Sequence, residues 1–93
     1  MKIKHKKFGE FEFIDPLLQK HLEAYFREMR EEGVDIMNVS VPEYSGGCVR
    51  AAIKLKYITP VFDVDESPPN KVQWINRQWQ EYLAESLNTD DPN

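Results

Sequence analysis

The chain has 93 residues, of which 41% are hydrophobic and 30% charged, and its formal net charge is −4. The hydrophobic fraction excludes an intrinsically disordered chain, and the length predicts one domain, residues 1–93, with a thin core and little room for a deep enclosed active site. The acidic balance argues against direct nucleic-acid binding, because phosphate contacts favour a basic excess.

Cysteine content and hydropathy bear on the setting in which the protein works. The single cysteine, Cys48, cannot form an intramolecular disulfide, the usual staple of small secreted domains. The apolar runs are too short to span a membrane, and no apolar signal-peptide core follows the basic first residues. We therefore predict a cytoplasmic protein that makes no membrane contact.

The first third of the chain predicts a short β-hairpin or strand pair followed by a helix. Residues 2–14, KIKHKKFGEFEFI, alternate in part between apolar and polar types around a possible turn at Phe8-Gly9-Glu10, and their lysines would protect a strand edge. Asp15 as cap and Pro16 at the first helical position predict a helix over 16–32, which Gly33 ends. Its apolar stripe is Leu18, Leu22, Tyr25, Phe26 and Met29.

The middle of the chain is harder to assign. Residues 34–41 are rich in apolar and β-branched types, which indicates a short strand or an extended segment that Pro42 ends. The run Tyr44-Ser45-Gly46-Gly47 predicts a turn. Residues 48–58, CVRAAIKLKYI, fit a strand and a helix almost equally, and helix propensity favours the helix slightly.

The last third predicts a loop and a long helix. We expect a loop over 59–70 that Val61, Phe62 and Val64 attach to the core, and a helix over 69–87 that Ser67 or Asn70 caps. The apolar stripe of this helix comprises Val72, Ile75, Trp79, Tyr82, Leu83 and Leu87, and we expect residues 89–93 to fray.

Together these elements predict an α+β fold, a mostly helical small single domain with a short N-terminal hairpin or strand pair. The predicted core consists of Phe11, Phe13, Leu18, Leu22, Phe26, Val49, Ile53, Ile75, Trp79 and Leu83.

The sequence predicts no catalytic site. A nucleophile needs an adjacent base, and the only candidates are Cys48, His5 and His21, whose spacing gives no reason to pair the thiol with either imidazole. We interpret Cys48 as a small buried apolar residue. Acidic residues lie in predicted loops and polar helix faces, as expected of a solvated surface.

Cofactor and metal sites are not predicted either. The chain has no CxxC motif, and the acidic run Asp63-Val64-Asp65-Glu66 lacks the glycine and the glutamate of a calcium loop, since Pro68 and Trp74 stand at those positions. The Ser45-Gly46-Gly47 sequence is too short for a phosphate-binding loop.

The candidates for a protein interface are one aromatic residue and two groups of charges. Trp74 lies beside the apolar stripe of the last helix, where a half-exposed tryptophan could contact a partner or pack under the 59–66 loop. Basic residues could form a patch near it and acidic residues a charged loop. These candidates are Trp74, Arg50, Lys54, Asp63, Asp65 and Glu66, with Lys56 extending the basic patch.

Several segments together resemble small proteins of tailed phages. They are the opening KFGEFEF, the helix start IDPLL, the central VRAAIK, the acidic DVDES-PP, the helix start KVQWI and the closing DPN. The pattern is similar to phage assembly proteins, among them tail assembly chaperones, and it departs from them at 56–58, where a glycine and an aromatic residue would be expected. The resemblance implies a largely helical adaptor or chaperone that binds another phage protein, and it implies no catalytic residue.

These observations favour a non-enzymatic protein-binding module, a phage or prophage accessory protein whose partner is a phage structural protein or a host enzyme. The alternative is a small acidic inhibitor of a nucleic-acid-binding enzyme, similar in action to anti-CRISPR proteins, whose acidic loop would replace phosphates. A third hypothesis is an enzyme whose site forms only on oligomerisation, and a homo-oligomer is compatible with the sequence.

Overall fold

A computed structural model describes residues 1–34 and 39–88, and it shows helices packed against a small antiparallel sheet. The strands are β1 (Lys2–His5), β2 (Gly9–Phe13) and β3 (Ile58–Thr59). The helices are α1 (Gln19–Glu31), α2 (Val41–Lys54) and α3 (Pro69–Leu87). The predicted α+β class, mostly helical with an N-terminal hairpin, is confirmed.

The hairpin buries one face and neutralises the other. Ile3 pairs with Phe11 across the strands and both side chains are buried, whereas Lys4 lies opposite Glu10 on the exposed face. Gly9 takes a φ of 93° after the turn, a conformation that glycine adopts without strain. This strand register places the apolar side chains of the hairpin on the face that packs against the helices.

Helix α1 begins three residues later than the sequence predicts. The side chain of His21, not that of Asp15, caps it, because Nδ1 of His21 accepts the backbone N–H of Leu18 at 3.0 Å. Asp15 instead accepts a hydrogen bond from the Tyr82 hydroxyl at 3.4 Å, which connects this loop to α3. The helix ends at Glu31, one residue before the predicted end, and Gly33 follows its cap with a φ of 76°.

The predicted turn at residues 44–47 is wrong, because these residues lie inside α2. Ser40 and Glu43 form a capping box in which the Ser40 hydroxyl accepts the Glu43 N–H at 3.3 Å and the Glu43 carboxylate accepts the Ser40 N–H at 3.0 Å. Pro42 lies in the first turn, where its missing N–H costs nothing. Ser45, Gly46 and Gly47 are buried, and at Gly47 an added Cβ atom would collide with Val34.

The segment 48–58 divides between the two structures that its pattern allows. The helix, which the sequence favours slightly, continues to Lys54. Lys56 then takes a φ of 62°, and the chain enters β3, where Ile58 pairs with Phe13. Residues 35–38 of the predicted extended segment lie outside the described residues, and Val41 begins α2 rather than ending a strand.

Helix α3 has the predicted bounds, but neither proposed residue caps it. Pro68 occupies the capping position, and the Ser67 hydroxyl donates to the backbone oxygen of Asp63 at 2.7 Å, within the preceding loop. Residues 89–93, predicted to fray, lie outside the described part of the chain.

Eight of the ten predicted core residues are buried, while Leu18 and Phe26 are 46% and 44% exposed. Leu18 precedes α1, and Phe26 follows Tyr25, which occupies the buried side of the helix. In the 60–68 loop, Val64 is buried and Phe62 packs against the core, but Val61 is 62% exposed, contrary to expectation. Leu87, assigned to the stripe of α3, is also exposed.

Candidate functional site

Several surface depressions adjoin one another around Tyr44. Three of them, with volumes of about 470, 190 and 200 Å³, include this side chain in their lining. We call these three together the Tyr44 groove; its principal residues are Phe26, Met29, Arg30, Val34, Val39, Val41, Tyr44, Asn76, Arg77, Gln80, Glu81 and Ala84.

Helical spacing places the groove residues on common faces. Phe26 and Met29 of α1 are three residues apart, as are Val41 and Tyr44 of α2, and Gln80 and Ala84 of α3 are four apart. Side chains at these spacings are neighbours on a helix surface. The first turn of α2, which the Ser40–Glu43 box fixes, therefore brings Val41 and Tyr44 into the groove between α1 and α3.

The groove exposes large apolar side chains. Phe26 is 44% exposed and Val41 is 67% exposed, although burying such side chains is favourable. Phe26 has one aromatic neighbour, Tyr25, whose ring centroid is 5.2 Å away. Exposed apolar side chains that line a concave surface with a polar rim are typical of a binding site.

A small polar network supports the groove from the α3 side. The Gln80 amide donates to Asn76 Oδ1 at 3.1 Å and to the Tyr25 hydroxyl at 3.5 Å. Asn76 and Tyr25 are buried, so these bonds hold the Gln80 side chain in place between two helices. The bond to Tyr25 thus links this side of the groove to α1.

The buried thiol behind the groove is unsuited to nucleophilic chemistry. Burial raises the pKa of Cys48, against the weaker opposing effect of hydrogen bonds from Tyr25 and Tyr44. Burial, reinforced by Cys48, also raises the pKa values of both tyrosines. Cys48 therefore remains a thiol at neutral pH, and the thiol is a poor nucleophile compared with the thiolate.

Two arginines border the groove. Arg30 lies on the α1 wall and Arg77 on the α3 wall. Neither guanidinium makes an ion pair with a residue in the described ranges, and among the described lining residues Glu81 is the one acidic side chain. The rim consequently carries a local excess of positive charge on an acidic protein.

Two of the three residues assigned to the predicted basic patch, Arg50 and Lys54, have acidic partners within the chain. Arg50 contacts Glu32 at 2.9 Å and Asp65 at 2.8 Å, which joins the end of α1, α2 and the 60–68 loop. Lys54 contacts Glu28 of α1 at 2.7 Å, and the hydrogen bond to this carboxylate raises the pKa of Lys54. Arg50 and Lys54 are therefore positioned as links between elements.

The predicted acidic loop is also partly engaged within the chain. The Asp63 carboxylate accepts the backbone N–H groups of Asp65 at 3.0 Å and of Glu66 at 3.4 Å, and Asp65 pairs with Arg50. Glu66 is exposed. Two of the three carboxylates that were assigned to a partner thus shape the loop itself.

Trp74 packs against the hairpin, at a different place from the Tyr44 groove. Its ring is half-buried, with centroids at 4.9 Å from His5, 6.2 Å from Phe8 and 6.4 Å from Phe11. Next to it, His5 Nδ1 accepts the backbone N–H groups that close the hairpin turn. These contacts give Trp74 a packing role, and its role in an interface stays a prediction.

Sequence reasoning missed the three most informative groove residues. Tyr44 was assigned to a turn, Phe26 to the core and Val41 to a strand. The signal that could have found Val41 and Tyr44 is the Ser40-x-x-Glu43 box, which predicts a helix from residue 41. A helix that starts there has Val41, Tyr44 and Cys48 on one face, because their spacings are three and four.

Other chemical features of the described residues are limited. The His21 ring packs against the ring of Tyr57, with centroids 5.3 Å apart. Residues 1–34 and 39–88 contain no group of three or more His, Cys, Asp or Glu side chains arranged to hold a metal ion. In the same ranges, no helix combines the length and apolar character needed to cross a membrane.

Comparisons of the chain with protein-family models, curated proteins and solved structures give no match.

Proposed function

We propose that this protein is a non-enzymatic protein-binding module whose principal contact surface is the Tyr44 groove. The observation that carries the proposal is the exposure of Phe26 and Val41 along the Tyr44 groove. Covering these side chains with a partner would remove apolar surface from water at about 25 cal/mol per Å².

The biological context of the proposal is phage assembly. The resemblance to tail assembly chaperones supports an adaptor that binds another phage protein in the host cytoplasm without a cofactor. The partner is then a phage structural protein, whose apolar segment the module covers before assembly. The phage context rests on the sequence resemblance, whereas the binding surface rests on the Tyr44 groove, so each can be tested separately.

The inhibitor hypothesis has less support. An inhibitor that mimics phosphates needs free negative charge, yet Asp63 is bonded to backbone N–H groups and Asp65 to Arg50. A catalytic function that forms on oligomerisation would need an activated nucleophile or base, and burial raises the pKa of Cys48, which disfavours its thiolate.

Affinity capture with matched substitutions tests the proposal. Val41→Asp places a charge in the groove, and Val61→Asp places the same charge on a similarly exposed valine outside it. We expect the wild type and Val61→Asp to capture the same structural protein from phage-infected cells, as identified by mass spectrometry, and Val41→Asp to lose it.

Three results would contradict the proposal. One is equal capture by the two aspartate variants, which would place the contact outside the groove. Loss of the partner only in Trp74→Ala would place it at the hairpin. Capture of a nucleic-acid enzyme that charge reversal at Asp63, Asp65 and Glu66 abolishes would favour the inhibitor. Circular dichroism of each variant shows whether the fold is retained.

A further inference from the structure

We infer that the occupant of the Tyr44 groove is an amphipathic helix of another protein, with an apolar stripe and acidic residues on both sides of that stripe. This inference rests on the proposed function and specifies the partner chemistry of the same site. The residues of the groove walls, the charges at the rim and the repulsion expected in a symmetric dimer support it.

The walls of the groove favour a helical occupant. Every described residue that lines it belongs to α1, α2, α3 or the segments that flank them, and none of these residues lies in a strand. An extended peptide would therefore find no strand edge to pair with its backbone N–H and C=O groups. A helix satisfies these groups internally and presents only side chains, as helix-in-groove complexes do.

The rim charges favour acidic flanks. Arg30 and Arg77 stand on different walls, so a helix that lies between α1 and α3 would have one guanidinium near each edge. Neither guanidinium has an ion-pair partner among the residues described, so neither would have to give up an internal contact. Glu or Asp at these edges would gain the pairing, and Lys or Arg would be repelled.

The same charges disfavour a second copy of this chain. A symmetric dimer through the groove would bring Arg30 and Arg77 of one copy towards the same positive rim of the other, because a two-fold interface uses one patch twice. Glu81 could offset part of that repulsion, but not both arginines. A different protein with acidic residues fits better.

Two synthetic helical peptides test the inference. Both are about 18 residues long, or five turns, with the same leucine stripe at i, i+3, i+4 and i+7; one has glutamates and the other lysines at the flanks. Each is titrated into the full chain labelled with nitrogen-15. We expect the glutamate peptide to bind about five- to twentyfold more tightly and to shift the amide signals of Tyr44, Gln80 and Ala84.

Charge reversal provides the matched control. The double variant Arg30→Glu/Arg77→Glu should lose the preference for the glutamate peptide. The double variant Lys7→Glu/Lys20→Glu carries the same change in net charge at exposed positions outside the groove and should keep it. Retention of the native amide spectrum in both variants separates a binding effect from unfolding.

The outcomes separate this inference from the proposed function. Equal binding of the two peptides in the groove would overturn the acidic assignment and leave the groove a protein-binding surface. No binding of either peptide, or self-association with shifts confined to the groove, would overturn the helical acidic occupant. The proposed function is tested separately, by whether Val41→Asp loses a partner that Val61→Asp retains.

Discussion

At the scale of single residues, two adjacent glycines in α2 meet different surroundings. A Cβ atom on Gly46 would lie 3.2 Å from Nη1 of Arg50, so the guanidinium would have to shift slightly within its ion pair with Asp65. A Cβ atom on Gly47 would collide with Cγ2 of Val34, a β-branched side chain with few alternative rotamers. Gly47 is therefore the position at which α2 needs the absence of a side chain.

We expect Gly46→Ala and Gly47→Ala to differ in stability. Alanine gains about 1 kcal/mol over glycine in a helix interior, so Gly46→Ala should be neutral or stabilising. For Gly47→Ala, overpacking against Val34 costs roughly 1–3 kcal/mol and should outweigh that gain. Urea unfolding of both variants measures the difference, and equal free energies of unfolding would show that Val34 moves aside freely.

Charged residues illustrate why a site is harder to predict than a fold. The candidates Arg50, Lys54 and Asp65 were chosen because charged residues usually face solvent, and each has an ion-pair partner from another element. Glu32 and Asp65 are separated from Arg50 by 18 and 15 residues. No local pattern indicates pairs at such separations, so the sequence alone could not distinguish them from free charges.

At the scale of elements, the start of α2 depends on one capping box. The Ser40 side chain accepts the Glu43 N–H, and this bond begins the helix that brings Val41 and Tyr44 to the groove. We expect Ser40→Ala to reduce the free energy of unfolding by about 1 kcal/mol, the usual loss for a cap. Thermal unfolding followed by circular dichroism measures it.

Ser86→Ala is the matched control for this prediction. Ser86 is exposed near the end of α3, and its hydroxyl donates to the Tyr82 carbonyl oxygen inside the helix, which caps nothing. The expected change is close to zero, because alanine has the higher helix propensity. If the two alanine variants unfold at the same temperature, the box contributes nothing and the first turn of α2 is held by packing.

The elements that the sequence predicted correctly are those with local signals. The hairpin follows from alternation around Gly9, and α3 from a long apolar stripe after two prolines. The predicted start of α1 is wrong because the side chain of a histidine, His21, provides the cap. The predicted turn within α2 is wrong because the buried glycines of this helix resemble a turn in the sequence. Where tertiary packing decides between equal local preferences, as at residues 55–58, the pattern could not choose.

At the scale of the whole molecule, burial of titratable groups makes stability depend on pH. Burial raises the pKa values of Cys48 and of the four tyrosines, and the Glu28 carboxylate raises that of Lys54. A raised pKa means that the folded state retains a proton which the unfolded chain releases. The free energy of unfolding then decreases as pH rises, since the folded state binds more protons there.

We therefore expect the protein to lose stability under alkaline conditions. The contribution of Cys48 is fully present below the ordinary thiol pKa of 9.0 and is lost as pH rises above it, and those of the tyrosines follow above 10.0. Each unit of pKa shift corresponds to about 1.4 kcal/mol. Urea unfolding at a series of pH values should show a constant free energy from pH 7 to about 8 and a steady decrease above about 9.

Cys48→Ala separates the thiol from the tyrosines. The variant removes the first titration, so the decrease should begin about one pH unit higher, whatever the variant does to the absolute stability. The slope above pH 10 should remain, because Tyr25 keeps its buried position between Phe26 and Trp79. An identical onset in the two proteins would mean that the Cys48 thiolate is solvated in the folded state, and the buried cluster behind the Tyr44 groove would then have to open readily to water.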